Sequence, residues 1–195
     1  MTWAESQRYE RGYDTRRWGI RHSRDYWLRF LSYASHYPAL EVGCGDSGLW
    51  RFDPQVTGLD PLDYSHLATN FVRGESEALP FPDNSFHDCL CVNALDHTRD
   101  PEAAMREMRR VAQRLVLWTY IFPTALMKPL YHPHPHALTL TRVSRMLKGL
   151  NITYWRWVNP WTEFSGNATP WAKAKLAAMT ALNVRALLVH TEAKL

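Results

Sequence analysis

From Pro38 onward, short and nearly continuous apolar runs alternate with turn residues and stretches of helical periodicity. The runs that read as strands are 39–43, 56–59, 71–73, 86–92, 114–120, 152–158 and 184–190. Strands that are apolar throughout, and separated by helical stretches, are those of a parallel sheet covered on both faces. Between the fourth and fifth runs, Asp100 precedes Pro101 and an amphipathic stretch that ends in Arg109 and Arg110. Asp as N-cap, Pro in the first helical position and arginines in the last turn predict a helix to Val111. Further helices are predicted over 137–150, closed by Gly149, and over 171–182. The proline-rich segment 122–135 is predicted to be a loop after the fifth strand, where loops border ligand sites in open α/β sheets. Residues 1–37 read differently, since Trp18, Trp27, Leu28 and Leu31 are spaced for one or two amphipathic helices. The expected organisation is a helical cap over 1–37 and one α/β domain over 38–195.

The chemistry concentrates after the first strand, where Leu40-Glu41-Val42 runs into Gly43-Cys44-Gly45-Asp46-Ser47-Gly48. Glycines here let the backbone bend sharply and approach a ligand without a Cβ in the way. The spacing alone also suits dinucleotide sites and chance loops. Glu41 inside an apolar strand is costly to bury unless a cation or a donor meets it, and a positively charged ligand would supply one. Asp60, at the end of the second strand, can accept both hydroxyls of a ribose, or can simply open an Asp-Pro turn.

Charge and composition narrow the field. The net charge is +4 and the pI about 9.0, yet Lys and Arg are spread along the chain. Arg8, Arg11, Arg16, Arg17, Arg21 and Arg24 interleave with Tyr9, Tyr13, Trp18 and Tyr26, which suits an amphipathic helix over a pocket better than an RNA-binding arm. Neither a nucleic-acid nor a membrane partner is expected, because no apolar run reaches the ~20 residues that span a bilayer. Cys44, Cys89 and Cys91 fall in a glycine turn and a strand, so a reducing, cytoplasmic setting is expected. His132, His134 and His136 alternate along an extended stretch, but no nearby carboxylate or cysteine completes a ligand set, and no metal is expected.

The chain resembles the class I S-adenosylmethionine-dependent methyltransferases, and within them the branch with ubiquinone and menaquinone methyltransferases. Glu41-Val42-Gly43-Cys44-Gly45 looks like that family's first motif, and residues 74–86, GESEALPFPDNSF, resemble its GDAEALPFPDNSF segment. Val92-Asn93-Ala94-Leu95-Asp96-His97 and Glu107-Met108-Arg109-Arg110-Val111 follow in the family's order. The resemblance implies a Rossmann-like, seven-stranded, mostly parallel sheet with an antiparallel last strand and helices on both faces. It implies S-adenosylmethionine as cofactor, with Glu41, Gly43, Cys44 and Gly45 along its methionine part and Asp60 on the ribose. Pro61 and Leu62 would border the adenine, Glu75 and Ser76 its edge, and Asn93 and Leu95 the methionine and sulfonium. Two departures stand out: the family's Lys-Pro-Gly-Gly turn before the fifth strand is missing, and the helices after the first two strands look short.

Methyl transfer is an in-line displacement, which alignment and exclusion of water can largely drive, and a general base is needed only if the acceptor must lose a proton early. His97, with Asp96 beside it at the mouth of the site, is the candidate base. Tyr13, Trp18, Tyr120, His132, His134 and His136 are candidate acceptor contacts, and nine tryptophans favour a small apolar or aromatic acceptor methylated at O, N or C. The oligomeric state stays open. The alternative is a methyltransferase-like protein that binds the cofactor or a partner without turnover. A nicotinamide-dependent oxidoreductase would need a catalytic domain for which no length remains.

Overall fold

A computed structural model describes residues 4, 5, 8, 24–33, 36–126, 135–158 and 184–192. The helix expected over 171–182 and most of the 1–37 cap lie outside these residues. The elements are α1 (Arg24–Phe30), β1 (Ala39–Val42), β2 (Val56–Asp60), β3 (Phe71–Arg73), β4 (Phe86–Val92), α2 (Pro101–Val111), β5 (Ala112–Ile121), α3 (Leu140–Met146), β6 (Asn151–Val158) and β7 (Arg185–Glu192). All seven expected strands are present, in the sheet order β3-β2-β1-β4-β5-β7-β6. β1 to β5 pair in parallel, and β7 runs antiparallel to both β5 and β6. The Asp100 carboxylate caps α2 as anticipated, accepting from the amides of Glu102 and Ala103 at 3.0 Å. α3 is shorter than the predicted 137–150, because the Thr139 side chain caps it and so sets its start.

Alternate strand residues point to opposite faces, and two core clusters record this. Leu40, Val42, Cys89, Cys91, Leu115, Leu117, Leu187 and Val189 join Met105, Met108, Val143 and Met146 of α2 and α3 on one face. Ala39, Leu90, Val116, Trp118, Ala186 and Leu188 join Trp27, Phe30 and Leu31 on the other. α1 is therefore seated in the core of the sheet. Phe30 packs on Trp118 with ring centroids 5.7 Å apart, and the Phe30 carbonyl accepts from Arg156 at 2.8 Å. The Tyr33 hydroxyl donates to the fully buried Asp88 carboxylate at 2.6 Å, and His190 Nε2 lies 2.7 Å from the Leu31 carbonyl. Burial holds the His190 imidazole below its ordinary pKa, so the neutral ring donates there. The three cysteines are free and buried.

The connections from β1 to β2 and from β2 to β3 correct the expectation of short helices, for neither contains an α-helix. A single 3₁₀ turn, Leu49–Arg51, is the only helical element of the first. Bulky side chains fill the layer that a crossover helix would otherwise supply. Trp50 is 1% exposed and packs against Phe71 at 5.4 Å, which in turn meets Tyr64 edge-on at 6.1 Å. Asn70 ties the filler down, its amide nitrogen donating to the carbonyls of Trp50 at 2.8 Å and of Val56. Trp50 can lie flat on β2 because Gly58 has no side chain: a Cβ there would sit 2.6 Å from Trp50 Cδ2 and 3.0 Å from Cys44 Sγ. Overpacking of this kind costs ~1–3 kcal/mol. Gly58→Ala is therefore expected to lower the free energy of urea unfolding by about that amount, and an unchanged midpoint would mean that Trp50 is free to move aside.

Candidate functional site

The parallel register brings the sequence-predicted residues to one end of the sheet. Glu41 pairs with Gly58 and Val42 with Leu59, so the β1 turn and Asp60 lie side by side at the carboxyl ends of their strands. Residues 61 and 62 follow β2, Glu75 and Ser76 follow β3, and Asn93 follows β4. The sheet order changes direction between β1 and β4, the place where loops part and ligands bind in such sheets. The two loops there are in close contact, since a Cβ on Gly43 (φ +66°) would sit on the Ala94 side chain. Gly45 (φ +54°) differs, because nothing lies within 4 Å of where its Cβ would be. Asn93 is exposed in the left-handed region at φ 54°, and its amide donates to the Trp118 carbonyl at 2.8 Å.

The partners of the two acidic residues are now visible. Asp60 is 8% exposed; one carboxylate oxygen accepts from the Gly45 amide at 3.1 Å and the other from the Leu62 amide at 2.9 Å. Glu41 is 2% exposed and accepts from the Trp50 amide at 2.9 Å, with the Leu49 amide also acting on it. Its oxygens occupy the space that a Cβ on Gly48 would need, at 2.5 and 2.6 Å. The donors that meet Glu41 are thus backbone amides of the 3₁₀ turn. Burial pushes the Glu41 carboxyl up to about 8 against the pull of those amides. Burial, followed by the nearby Glu41 and Asp60 carboxylates, also raises the Cys44 thiol well above its ordinary value, which makes it a neutral packing group.

The segment after β3 is clasped to the loop after β4. Glu77 accepts from the amides of Arg99 and Asp100 at 2.6 and 3.0 Å, Ser76 Oγ donates to Glu77 at 2.9 Å, and Arg99 pairs with Glu75 at 3.3 Å. The Leu-Pro-Phe-Pro-Asp loop is held from α2: Arg110 donates to the carbonyls of Leu79 and Phe81 and to Asp83. Glu107, kept below the usual carboxylate range by Arg110, accepts from the Leu79 amide. Glu77, Arg99, Glu107 and Arg110 escaped the sequence reading. The Glu107–Arg110 pair was visible as an i,i+3 spacing, but the loop it grips was not.

Four of the expected site residues are buried or lie between loops. Asp96 does not stand at the mouth of the site: the 3₁₀ turn Leu95–His97 rolls it inward to 0% exposure, 3.9 Å from His97 Nε2. Leu95 is likewise fully buried, in the α2 face of the core. Tyr120 is 7% exposed and packs edge-on against Trp118 at 5.0 Å, as part of the core facing α1. His136 bridges loops, with Nε2 3.1 and 3.2 Å from the carbonyls of Thr98 and Arg99 and Nδ1 3.5 Å from Arg142. Arg142 itself forks onto Glu102 with two contacts of 2.7 Å, which hold that carboxyl down to about 2. Tyr13, Trp18, His132 and His134 lie outside the described residues. Among the described residues, no three His, Cys, Asp or Glu side chains are grouped to hold a metal ion, and no helix is long and apolar enough to cross a membrane.

Because folding raises the Glu41 pKa, the proton is held more tightly in the native state than in the unfolded chain. That stability is complete below the ordinary value of 4.5 and is lost as the pH rises through about 8. Glu41→Gln keeps the acceptor oxygen and removes the titration. Its melting temperature should fall less than that of the wild type between about pH 6 and pH 9; parallel profiles would show Glu41 to be ionised throughout.

Residues 40–115 match the methyltransferase domain family. Over 58 residues the chain is 45% identical to a ubiquinone/menaquinone biosynthesis C-methyltransferase of Hahella chejuensis, a stretch that covers 28% of this chain and 23% of that protein. The matched stretch thus spans about a quarter of the length of that relative. Two solved structures share the fold. Geranyl diphosphate C-methyltransferase from Streptomyces coelicolor, solved with S-adenosyl-L-homocysteine, superposes with a TM-score of 0.67 over 88% of this chain and 77% of its own, at 13% identity. The [4+2]-cyclase SpnF gives 0.64 over 88% and 80%, at 17% identity. Domain match, sequence relative and strand order agree: residues 40–115 match the methyltransferase domain family, and the sheet shares its fold with a methyltransferase solved with S-adenosyl-L-homocysteine.

Proposed function

We propose that the protein transfers the methyl group of S-adenosylmethionine to oxygen, nitrogen or carbon of a small apolar or aromatic metabolite. The observation that carries this reading is the pairing of an open glycine turn with an acidic strand tip. Space is clear at Gly45, and the Asp60 carboxylate at the neighbouring strand tip accepts from the Gly45 amide and so holds the same turn in place. These features fit a nucleoside whose ribose hydroxyls reach Asp60 and whose amino-acid part lies along 43–45. Pro61 and Leu62 are half-buried beside that tip, where they would flank a base, with Glu75 and Ser76 at its edge and exposed Asn93 at the amino-acid end. When bound, the cofactor supplies an electrophilic methyl group on a sulfonium.

The chain's own residues align, shield and move a proton. His97, part-buried at the end of the 3₁₀ turn after β4, is assigned as the base that accepts the acceptor's proton. Asp96 is assigned to orienting the imidazole and stabilising its charged form from below, since complete burial keeps it from the acceptor itself. Contacts to the acceptor are assigned to Tyr13, Trp18, His132 and His134 from the sequence, with residues 1–37 closing over the 38–195 domain. The free, buried cysteines fit a cytoplasmic setting. A second reading, cofactor binding without methyl transfer, draws on one observation: the fold is shared with a protein named as a cyclase.

Calorimetry with S-adenosylhomocysteine is expected to show binding to the wild type, and absence of binding would sink both readings. Asp60→Ala should weaken it by ~10- to 100-fold, the loss of charge-assisted hydrogen bonds worth ~1.5–3 kcal/mol. A matched melting curve would separate this from loss of the Gly45 and Leu62 contacts. His97→Gln is expected to leave that affinity intact and to cut turnover on a responsive metabolite from a quinone, phenol and prenyl panel by ~10²-fold or more. Equal turnover would remove His97 as the base, and a wholly silent panel would favour the second reading.

A further inference from the structure

A helix that followed the glycine turn would satisfy the turn's carbonyls with its own amides. Here no α-helix follows, and four successive carbonyls find four other donors. Gly45 O accepts from the Trp50 indole N–H at 3.2 Å, Asp46 O from Arg51 Nη1 at 2.7 Å, Ser47 O from the Trp27 indole N–H at 3.1 Å, and Gly48 O from the Arg51 amide at 3.3 Å. A trans peptide is planar, with its C=O and N–H pointing in opposite directions. Each donor on a carbonyl therefore also fixes the direction of the next residue's amide. The orientations of the Asp46, Ser47 and Gly48 amides are set in this way by Trp50, Arg51 and Trp27.

Three of the four donors belong to the same β1–β2 connection. Trp27 alone comes from elsewhere, from the middle of α1, twenty residues before Ser47. Its ring is 8% exposed and wedged edge-on against Tyr26 at 5.8 Å and Phe30 at 5.9 Å. Phe30 is in turn fixed on Trp118 of β5, and Arg24, one turn earlier, is paired with Asp53 at the far end of the same connection at 2.7 Å. α1 thus bridges the middle of the sheet and the cofactor turn. We propose that Trp27 is a positioning residue for the cofactor turn, so that the seating of α1 and the occupancy of residues 43–48 are thermodynamically linked. The proposal rests on the reading of this turn as the cofactor site. By linkage, whatever the seating of α1 contributes to cofactor affinity, the cofactor returns to the seating of α1.

The test uses the full chain and S-adenosylhomocysteine as probe. Trp27→Phe keeps an aromatic ring against Phe30 and removes the donor to Ser47 O. Its dissociation constant should rise about five- to tenfold, the effect of one part-buried hydrogen bond. In the wild type, saturating probe should slow amide hydrogen exchange across Arg24–Phe30, and in Trp27→Phe that slowing should largely vanish. A purely structural role would lower the melting temperature of the variant and leave both readouts unmoved. Wild-type binding with unchanged exchange in α1 overturns the proposal and leaves the cofactor reading standing. It also decides the matter if Trp27→Phe fails to fold. A wild type that binds no probe overturns the two together.

Discussion

The β1 turn keeps its shape without a following α-helix to hold it. That constraint accounts for much of the surrounding architecture. Glu41 is buried beneath the turn and gathers the amides of the 3₁₀ turn that replaces the helix. Asp60 grips Gly45 from the neighbouring strand, and indoles and a guanidinium satisfy the carbonyls. Gly48 and Gly58 are the positions that make room, one for the Glu41 carboxyl and the other for the Trp50 ring. The cost is a buried carboxyl that favours its protonated form, and a turn whose geometry depends on side chains reaching it from several directions.

The same economy explains where the aromatic residues went. Nine tryptophans in the chain favoured an apolar or aromatic acceptor. Trp155 and Trp157 of β6 are exposed, whereas three of the described ones, Trp27, Trp50 and Trp118, are core on one face, filling the layer left by the missing crossover helices or binding α1 to the sheet. Tyr120 joins them there. On the other face α2 and α3 cover the sheet in the ordinary way, and α2 also serves the site, since Glu107 and Arg110 hold the Leu-Pro-Phe-Pro-Asp loop in place. The loop's sequence thus reflects a fit to α2.

The loop after β4 shows how close contacts shape a candidate site. Ala94 packs against Gly43, and the 3₁₀ turn that follows carries Leu95 and Asp96 inward while leaving His97 part-exposed. Two neighbouring clasps, Glu77 on the amides of Arg99 and Asp100 and His136 near the carbonyls of Thr98 and Arg99, fix the far side of that loop. His136, read from the sequence as a helix cap or an acceptor contact, is one of those clasps.

The amino-acid sequence by itself determined whatever depends on near neighbours. Apolar runs placed the strands, Asp100 and Pro101 started α2, and the glycines and acids fell at the carboxyl ends of neighbouring strands. Such features are legible because periodicity, capping and turn conformation act over a few residues. Tertiary structure decided the rest: that backbone amides of the 3₁₀ turn meet Glu41, that Asp96 points inward, and that Trp27 supports a turn twenty residues away. Arg110 reaches back 31 residues to Leu79, and Glu77 reaches forward 22 to Arg99. No spacing rule encodes such pairs, because the distance between their partners is set by how strands and helices dock, and a hydrogen bond exists only once docking brings donor and acceptor within about 3 Å.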